Sequence, residues 1–291
     1  MMEFQKVAVL GGGLLGGSLA LAMRQRFPDR AVSLWARRAE TVEQARGRGI
    51  SEATERMEEA LEGADLIVLS TPVGAMATVL LAAQGAGLSR EALVTDVGSV
   101  KATPHRLLRP LLERTGGRFI GSHPMAGSEQ TGMGAADARL FEGAACLLTD
   151  DDAVGAPWTD RLARFWEAMG CHISWLGAAE HDALVAKISH FPHMMAAVTA
   201  KVALQEPQDG KFGGGGLRDT TRVAGGDAAM WAEIVVENRD AMKVVLGQGI
   251  KEMSEMLAML EAGDQEALRL WLAEAKDARD SALPRVRNDF S

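Results

Sequence analysis

An α/β fold followed by an all-helical region is the architecture that this 291-residue chain encodes, and three observations predict it. Short apolar runs alternate with helical spacing through residue 176, a pattern that builds a doubly wound parallel sheet with helices on both faces. Beyond Gly177 the strand pattern stops, and apolar residues recur only at three- and four-residue steps, which is helical periodicity. A glycine cluster, Gly11-Gly12-Gly13, separates the first strand from the first helix. The expected division is residues 1–176 and residues 177–291.

The elements follow in order. Lys6–Leu10 reads as the first strand and Leu14–Arg26 as its helix; Ala31–Trp35 and Ala39–Gly47 repeat the pair. Asp65–Ser70, Ala92–Asp96, Arg118–Gly121 and Ala144–Thr149 read as the third to sixth strands. A helix over Thr159–Met169 and a strand over His172–Leu176 close this half. The stretch Leu66–Ser89 contains no Asp, Glu, Lys or Arg. Pro72 and Gly74 interrupt it, so it reads as strand, turn and buried helix rather than as a membrane span. In the second half, His181–Leu204 forms one long helical pattern. Trp231, Ile234, Val235, Met242, Val245, Leu246, Ile250, Met253, Met256, Leu257 and Leu260 continue the spacing. Leu268–Ala275 is a last amphipathic helix before a polar tail, Pro284–Ser291, that is expected to fray.

Composition narrows the function. With 47% hydrophobic and 24% charged residues, the chain has the make-up of a folded soluble enzyme. A net charge of −8 argues against nucleic-acid or anionic-membrane binding and leaves small molecules, or a second copy of the chain, as the expected partners. Cys146 and Cys171 are the only cysteines, with no C-x-x-C spacing and no Cys/His cluster. Neither a disulfide nor a metal site is therefore expected, and a reducing cytoplasm fits. Met1–Val9 lacks a signal-peptide layout, which also points to the cytoplasm.

The chemistry begins at the glycine cluster. Gly11, Gly13 and Gly16 form a G-x-G-x-x-G match after a strand and at the start of a helix, the context of a Rossmann-type dinucleotide fingerprint. Gly11 permits the tight turn, Gly13 admits the pyrophosphate, and Gly16 lets the helix pack closely. The free N–H groups at Leu14 and Leu15 then meet the phosphates. Ser70, at the end of the third strand, is assigned to the same cofactor site. The alternative is a glycine-rich turn that holds no ligand. After the second strand, where an NAD site usually places a carboxylate for the ribose hydroxyls, the chain reads Trp35-Ala36-Arg37-Arg38. Guanidinium groups suit a 2′-phosphate, so NADP is favoured over NAD, with two solvated surface arginines as the alternative.

Two further segments place side chains beside that cofactor: Asp96-Val97-Gly98-Ser99-Val100-Lys101, and Gly121-Ser122-His123-Pro124-Met125-Ala126-Gly127. With Gly11–Gly17, Gly121–Gly134, His181–His193 and Gly213–Arg222, these motifs, in this order, resemble those of the prephenate and arogenate dehydrogenases of tyrosine biosynthesis. The resemblance implies oxidative decarboxylation of a cyclohexadienyl substrate to 4-hydroxyphenylpyruvate or tyrosine, with hydride passing to NAD(P). By the same match His123 contacts the ring hydroxyl and Ser99 supports it and the nicotinamide. Ser189 and His193 lie in the substrate pocket, and Arg222 holds a substrate carboxylate. It also implies a helical second domain that dimerises, in keeping with more apolar residues than one helical layer buries. Where the family often has Lys, after Glu129, this chain has Gln130, one cation fewer. The length leaves no room for a fused regulatory module, so any inhibition by tyrosine is expected at the active site.

The residues make the same chemistry sensible by themselves. Oxidising a secondary alcohol develops a carbonyl, and a neutral imidazole that takes the hydroxyl proton stabilises that change. Activity is therefore expected to rise through a group near the ordinary histidine pKa. A carboxylate substrate needs a fixed cation, which Arg222 supplies. Ser99 has a second reading as a helix N-cap, and His190 and His193 as buried helix residues. His105, His172 and His181 read as non-catalytic, and the tryptophans and late methionines as packing. Two rival functions remain: a β-hydroxyacid dehydrogenase of similar architecture, in which Lys187 could serve as the catalytic lysine, and a non-catalytic NADP-sensing module.

Overall fold

A computed structural model describes residues 3–206 and 208–283. The chain divides after Met242 into two compact units.

The first unit opens with β1 (Lys6–Leu10), α1 (Leu14–Arg26), β2 (Ala31–Trp35), α2 (Ala39–Gly47), β3 (Ala53–Thr54), α3 (Met57–Leu61) and β4 (Leu66–Leu69). It continues with α4 (Val73–Gly85), β5 (Leu93–Asp96), α5 (Ala102–Glu113) and β6 (Arg118–Phe119). The six strands form one parallel sheet in the order β3-β2-β1-β4-β5-β6, with Val9 paired to Leu34 on one side and to Val68 on the other. Val7 and Val9 belong to one buried apolar cluster, Ala8 and Leu10 to a second. Alternate side chains of β1 thus enter cores on opposite faces of the sheet, which is why these strands read as unbroken apolar runs. The order reverses between β1 and β4, where an open sheet of this kind carries its ligand crevice.

The expected fifth and sixth strands behave differently from the sequence reading. Arg118–Gly121 splits at Ile120: β6 stays in the main sheet, while β7 (Gly121–Pro124) enters a second, three-stranded sheet. There β7 pairs antiparallel with β8 (Ala145–Thr149), which pairs parallel with β9 (His172–Trp175). α6 (Trp158–Ala168) lies between β8 and β9 in the chain. Buried polar contacts turn the strand. The Ser122 hydroxyl bonds with that of Thr95 at 2.7 Å and accepts from Trp166 Nε1 at 2.9 Å. Apolar patterning does not record such bonds, so a change of sheet within one strand-like run is invisible to it.

The long pattern over His181–Leu204 resolves into α7 (Ala178–Val185), a π-helical turn at Ala186–His190 and α8 (Phe191–Ala203). α9 (Gly215–Thr221) and α10 (Ala228–Glu237) follow. α10 is capped by Asp227, whose carboxylate accepts from Met230 N at 2.8 Å. α11 (Arg239–Ala262) runs from the first unit into the second, and α12 (Gln265–Ala282) contains the expected Leu268–Ala275 segment. Within the second unit Val244, Ile250, Leu257, Leu260, Leu270 and Leu272 are exposed, so much of the apolar stripe is uncovered in a single chain. The expected frayed tail, 284–291, lies outside the described residues. Among the described residues no helix is long and apolar enough to cross a membrane.

Candidate active site

The glycine turn between β1 and α1 is shaped by backbone contacts. Gly11 has φ +127°, and a Cβ added there would run into the Ser70 carbonyl; one added at Gly16 would run into the carbonyl of Gly11. Gly13 differs: it is the N-cap of α1, and a Cβ there would meet nothing within 4 Å. No side chain caps α1 and no acid occupies its first turn, so its N–H groups are left for a ligand. Gly13, Leu14 and Leu15 line a cavity of about 540 Å³ with Ser70 and Thr71 opposite them. The Thr71 hydroxyl is buried without a hydrogen-bond partner. An open, uncapped helix terminus beside an unsatisfied hydroxyl fits the pyrophosphate of a dinucleotide.

Ser99, His123, Ser189, His193 and Arg222 line the same cavity. The structure therefore gathers residues from five separate motifs around one space. Gly11 and Gly16 stand behind it as scaffold, and Arg37 and Arg38 lie outside it, exposed beyond β2. Neither arginine has an ion-pair partner among the described residues. Lys187, which a β-hydroxyacid dehydrogenase would use, is exposed and is not part of the cavity wall.

A buried ion pair positions the Ser99 loop. Asp96 and Lys101, both fully buried, form a salt bridge. Asp96 also accepts from Gly98 N at 2.9 Å and from Ser122 N at 3.2 Å. One carboxylate thereby ties the loop that carries Ser99 to the strand that carries His123. Burial lowers the Lys101 pKa, opposed by its attraction to Asp96. Ser99 does not cap α5. The donors at that terminus, Lys101 N and Ala102 N, bond instead to the Asp182 carboxylate of α7 at 2.7 and 3.0 Å.

His123, 7% exposed, places Nδ1 2.9 Å from His181 Nε2, and His181 Nδ1 lies 2.8 Å from Asp182 Oδ1. Burial, reinforced by His181, Lys101 and His190, pushes the His123 pKa well below the ordinary histidine value. The imidazole is neutral at neutral pH, as a base for an alcohol must be, and the expected titration near the histidine reference shifts to lower pH. His181, read from sequence as non-catalytic, is in hydrogen-bond contact with it.

The remaining wall is helical. His193 stacks on Trp231 with ring centroids 3.5 Å apart and planes 15° from parallel, and its Nδ1 is buried without a partner. His190 is fully buried behind it, with Nδ1 3.2 Å from Asn238 Nδ2, and burial lowers its pKa to about 4. Arg222 is exposed, its Nη1 3.2 Å from Glu129 Oε2. Trp231, Glu233 and Glu237, all on α10, line the cavity although the sequence reading gave them no role there. Glu233 accepts from Gly74 N at 2.6 Å, and Glu237 accepts from the Thr103 hydroxyl at 2.9 Å. Two carboxylates four residues apart, beside an apolar helical stripe, were the available signal.

A family model described as prephenate dehydrogenase, nucleotide-binding domain, matches residues 19–175. A second, prephenate dehydrogenase, dimerization domain, matches residues 177–274. The cyclohexadienyl dehydrogenase of Zymomonas mobilis is 31% identical over 285 residues, covering 96% of each chain. The prephenate dehydrogenase of Lactococcus lactis is 30% identical over 281 residues, 95% of this chain and 77% of that one. A solved structure of prephenate dehydrogenase from Aquifex aeolicus, in complex with hydroxyphenyl propionate and NAD+, aligns with a TM-score of 0.85 at 29% identity. That alignment covers 94% of this chain and 97% of the other.

Proposed function

The chain belongs to the prephenate dehydrogenase family, which makes it an NAD(P)-dependent oxidoreductase of tyrosine biosynthesis, and on that premise we propose that His123 is its catalytic base. The observation that carries this reading is the neutral, buried imidazole of His123 on the wall of the cavity that the glycine turn opens into. The substrate is a cyclohexadienyl carboxylate, prephenate or arogenate, in keeping with the names of the relatives.

Each residue has a part. Gly11, Gly13 and Gly16 shape the turn, and the N–H groups at Leu14 and Leu15 hold the pyrophosphate beside Ser70. A dinucleotide held there would supply the hydride acceptor for the ring carbon that bears the hydroxyl. His123 takes the hydroxyl proton as the carbonyl develops, and Ser99 supports the imidazole and the substrate end of the cofactor site. Loss of carbon dioxide needs no further acid, because the ring becomes aromatic. Arg222 holds a substrate carboxylate, and Ser189 and His193 complete the substrate wall.

The finer assignments follow the same lines. Arg37 and Arg38, unpaired among the described residues beyond β2, receive a 2′-phosphate, so NADP is preferred over NAD. Residues 1–176 form the dinucleotide-binding domain and residues 177–291 the substrate-binding and dimerisation domain, as the second family model's description supports. The working form is a homodimer in the cytoplasm. Purified protein assayed with both substrates and both cofactors tests the reading: one aromatic product should form per cofactor reduced. No aromatic product from either substrate would overturn it.

A further inference from the structure

We propose that His181 and Asp182 form a relay that fixes the tautomer of His123, placing its proton on Nδ1 and its lone pair on Nε2. The catalytic meaning of this arrangement rests on His123 being the base; the arrangement itself does not.

The argument starts at the carboxylate. Asp182 Oδ1 receives Lys101 N at 2.7 Å and Oδ2 receives Ala102 N at 3.0 Å, so both oxygens already accept from backbone donors. Burial would raise the Asp182 pKa, but the His181 ring and these two N–H groups hold it below the ordinary value. An ionised carboxylate only accepts, so the His181 Nδ1 facing Oδ1 at 2.8 Å must carry a proton. Burial lowers the His181 pKa as well, leaving that ring neutral, with a lone pair on Nε2. His123 Nδ1, 2.9 Å away, must then be the donor. Because the His123 ring is neutral too, its lone pair resides on Nε2, the nitrogen left to face the cavity.

Asp182 thus has two tasks. It caps α5, at the end of the Ser99 loop, and through His181 it sets which nitrogen of His123 can take a proton. A carboxylate that orients a catalytic imidazole is familiar from hydrolase triads; here a second imidazole is interposed. When His123 takes the hydroxyl proton, the new imidazolium keeps its Nδ1–H bond to His181 and lies in the field of Asp182. His181 and Asp182 are positioning residues, since the structure places neither on the cavity wall.

The test reads the tautomer directly. In protein labelled with 15N-histidine, long-range proton–nitrogen correlation distinguishes the protonated from the bare nitrogen of each ring, and His123→Asn assigns the signals. At neutral pH the wild type should show His123 and His181 both protonated at Nδ1. His181→Leu should move His123 toward the Nε2-protonated form and lower kcat by about 10- to 100-fold, with KM and cofactor affinity unchanged. His181→Gln, whose amide oxygen can accept from Nδ1, should restore much of that loss. A wild-type His123 protonated at Nε2 overturns the proposal, as does a His181→Leu enzyme with normal tautomer and normal kcat. If His181→Leu fails to fold, the wild-type spectrum decides. A protein that turns over neither cyclohexadienyl substrate yet shows these tautomers would refute the proposed function and leave the relay standing.

Discussion

Arg222 reaches Glu129 across the wall of the cavity, Nη1 to Oε2 at 3.2 Å, with both side chains substantially exposed. An exposed pair of this kind contributes little stability, so the guanidinium can exchange its carboxylate partner for one on a substrate. Arg222→Ala should cost roughly 1.5 to 3 kcal/mol in kcat/KM, mostly through KM, because the charged hydrogen bond forms in ground and transition states alike. Steady-state kinetics check this, and an unchanged KM would assign Arg222 a structural role.

His123→Asn should lower kcat by about 10²- to 10⁴-fold while leaving cofactor affinity intact. The depressed pKa of His123 gives the wild type a second signature. Its kcat/KM should stay level as the pH falls from 8 through about 6.5, the ordinary histidine value, and drop only in more acid solution. A profile that bends at the ordinary value would mean that the acting histidine is solvated.

Mild acid should also destabilise the fold. His190 resists protonation until about pH 4 in the folded protein, whereas the unfolded chain protonates it near pH 6.5. The unfolded state therefore binds more protons between those limits. Stability, fully present above about 6.5, should fall by about 3 kcal/mol from His190 alone as the pH drops through this window. His123 and His181, also shifted downward, act in the same direction. Urea melts at pH 7.5, 5.5 and 4.5 would reveal the slope; equal midpoints would refute it.

Cofactor choice is open to reversal. NADP should exceed NAD in kcat/KM by about tenfold or more if one charged contact of roughly 1.5 kcal/mol forms at Arg37 or Arg38. Ala36 is buried beside Gly12 at the end of β2, where a carboxylate would face the ribose. The pair Ala36→Asp with Arg37→Ala should make NAD the better cofactor. A wild type that already prefers NAD would show both arginines to be solvent groups.

The exposed apolar residues of the second unit should be covered by another copy of the chain. Light scattering at micromolar concentration should give twice the chain mass of 31.0 kDa. A single-chain mass would refute the dimer.

Much of this was legible in the residues alone because it rests on spacing. The strand–glycine–helix start follows from backbone sterics, and β1, α1, β2 and α2 stand at the residues their apolar patterns mark. His123 stood out as an imidazole set among glycines, whereas Ser99 and Arg222 were marked by the resemblance of their motifs to a family; all three line one cavity. What stayed hidden depends on pairing across distance. Asp182 meets Lys101 from 81 residues away, and the stacking of His193 on Trp231 requires two helices to be placed first. His181 looked idle because its partner lies 58 residues upstream. The antiparallel pairing of β7 with β8 escaped for a different reason: alternation reports which face is buried, not the direction of the neighbour.

The π-helical turn at Ala186–His190 admits one more residue per hydrogen-bonded loop than the helices on either side. The turn thereby absorbs one residue: a strictly α-helical path through the same sequence would rotate every residue of α8 by about 100° relative to α7, carrying His193 off the face it shares with the cavity while His181 stayed against His123. The widened turn is therefore what lets one continuous helical run set His181 against the imidazole and His193 on the cavity wall.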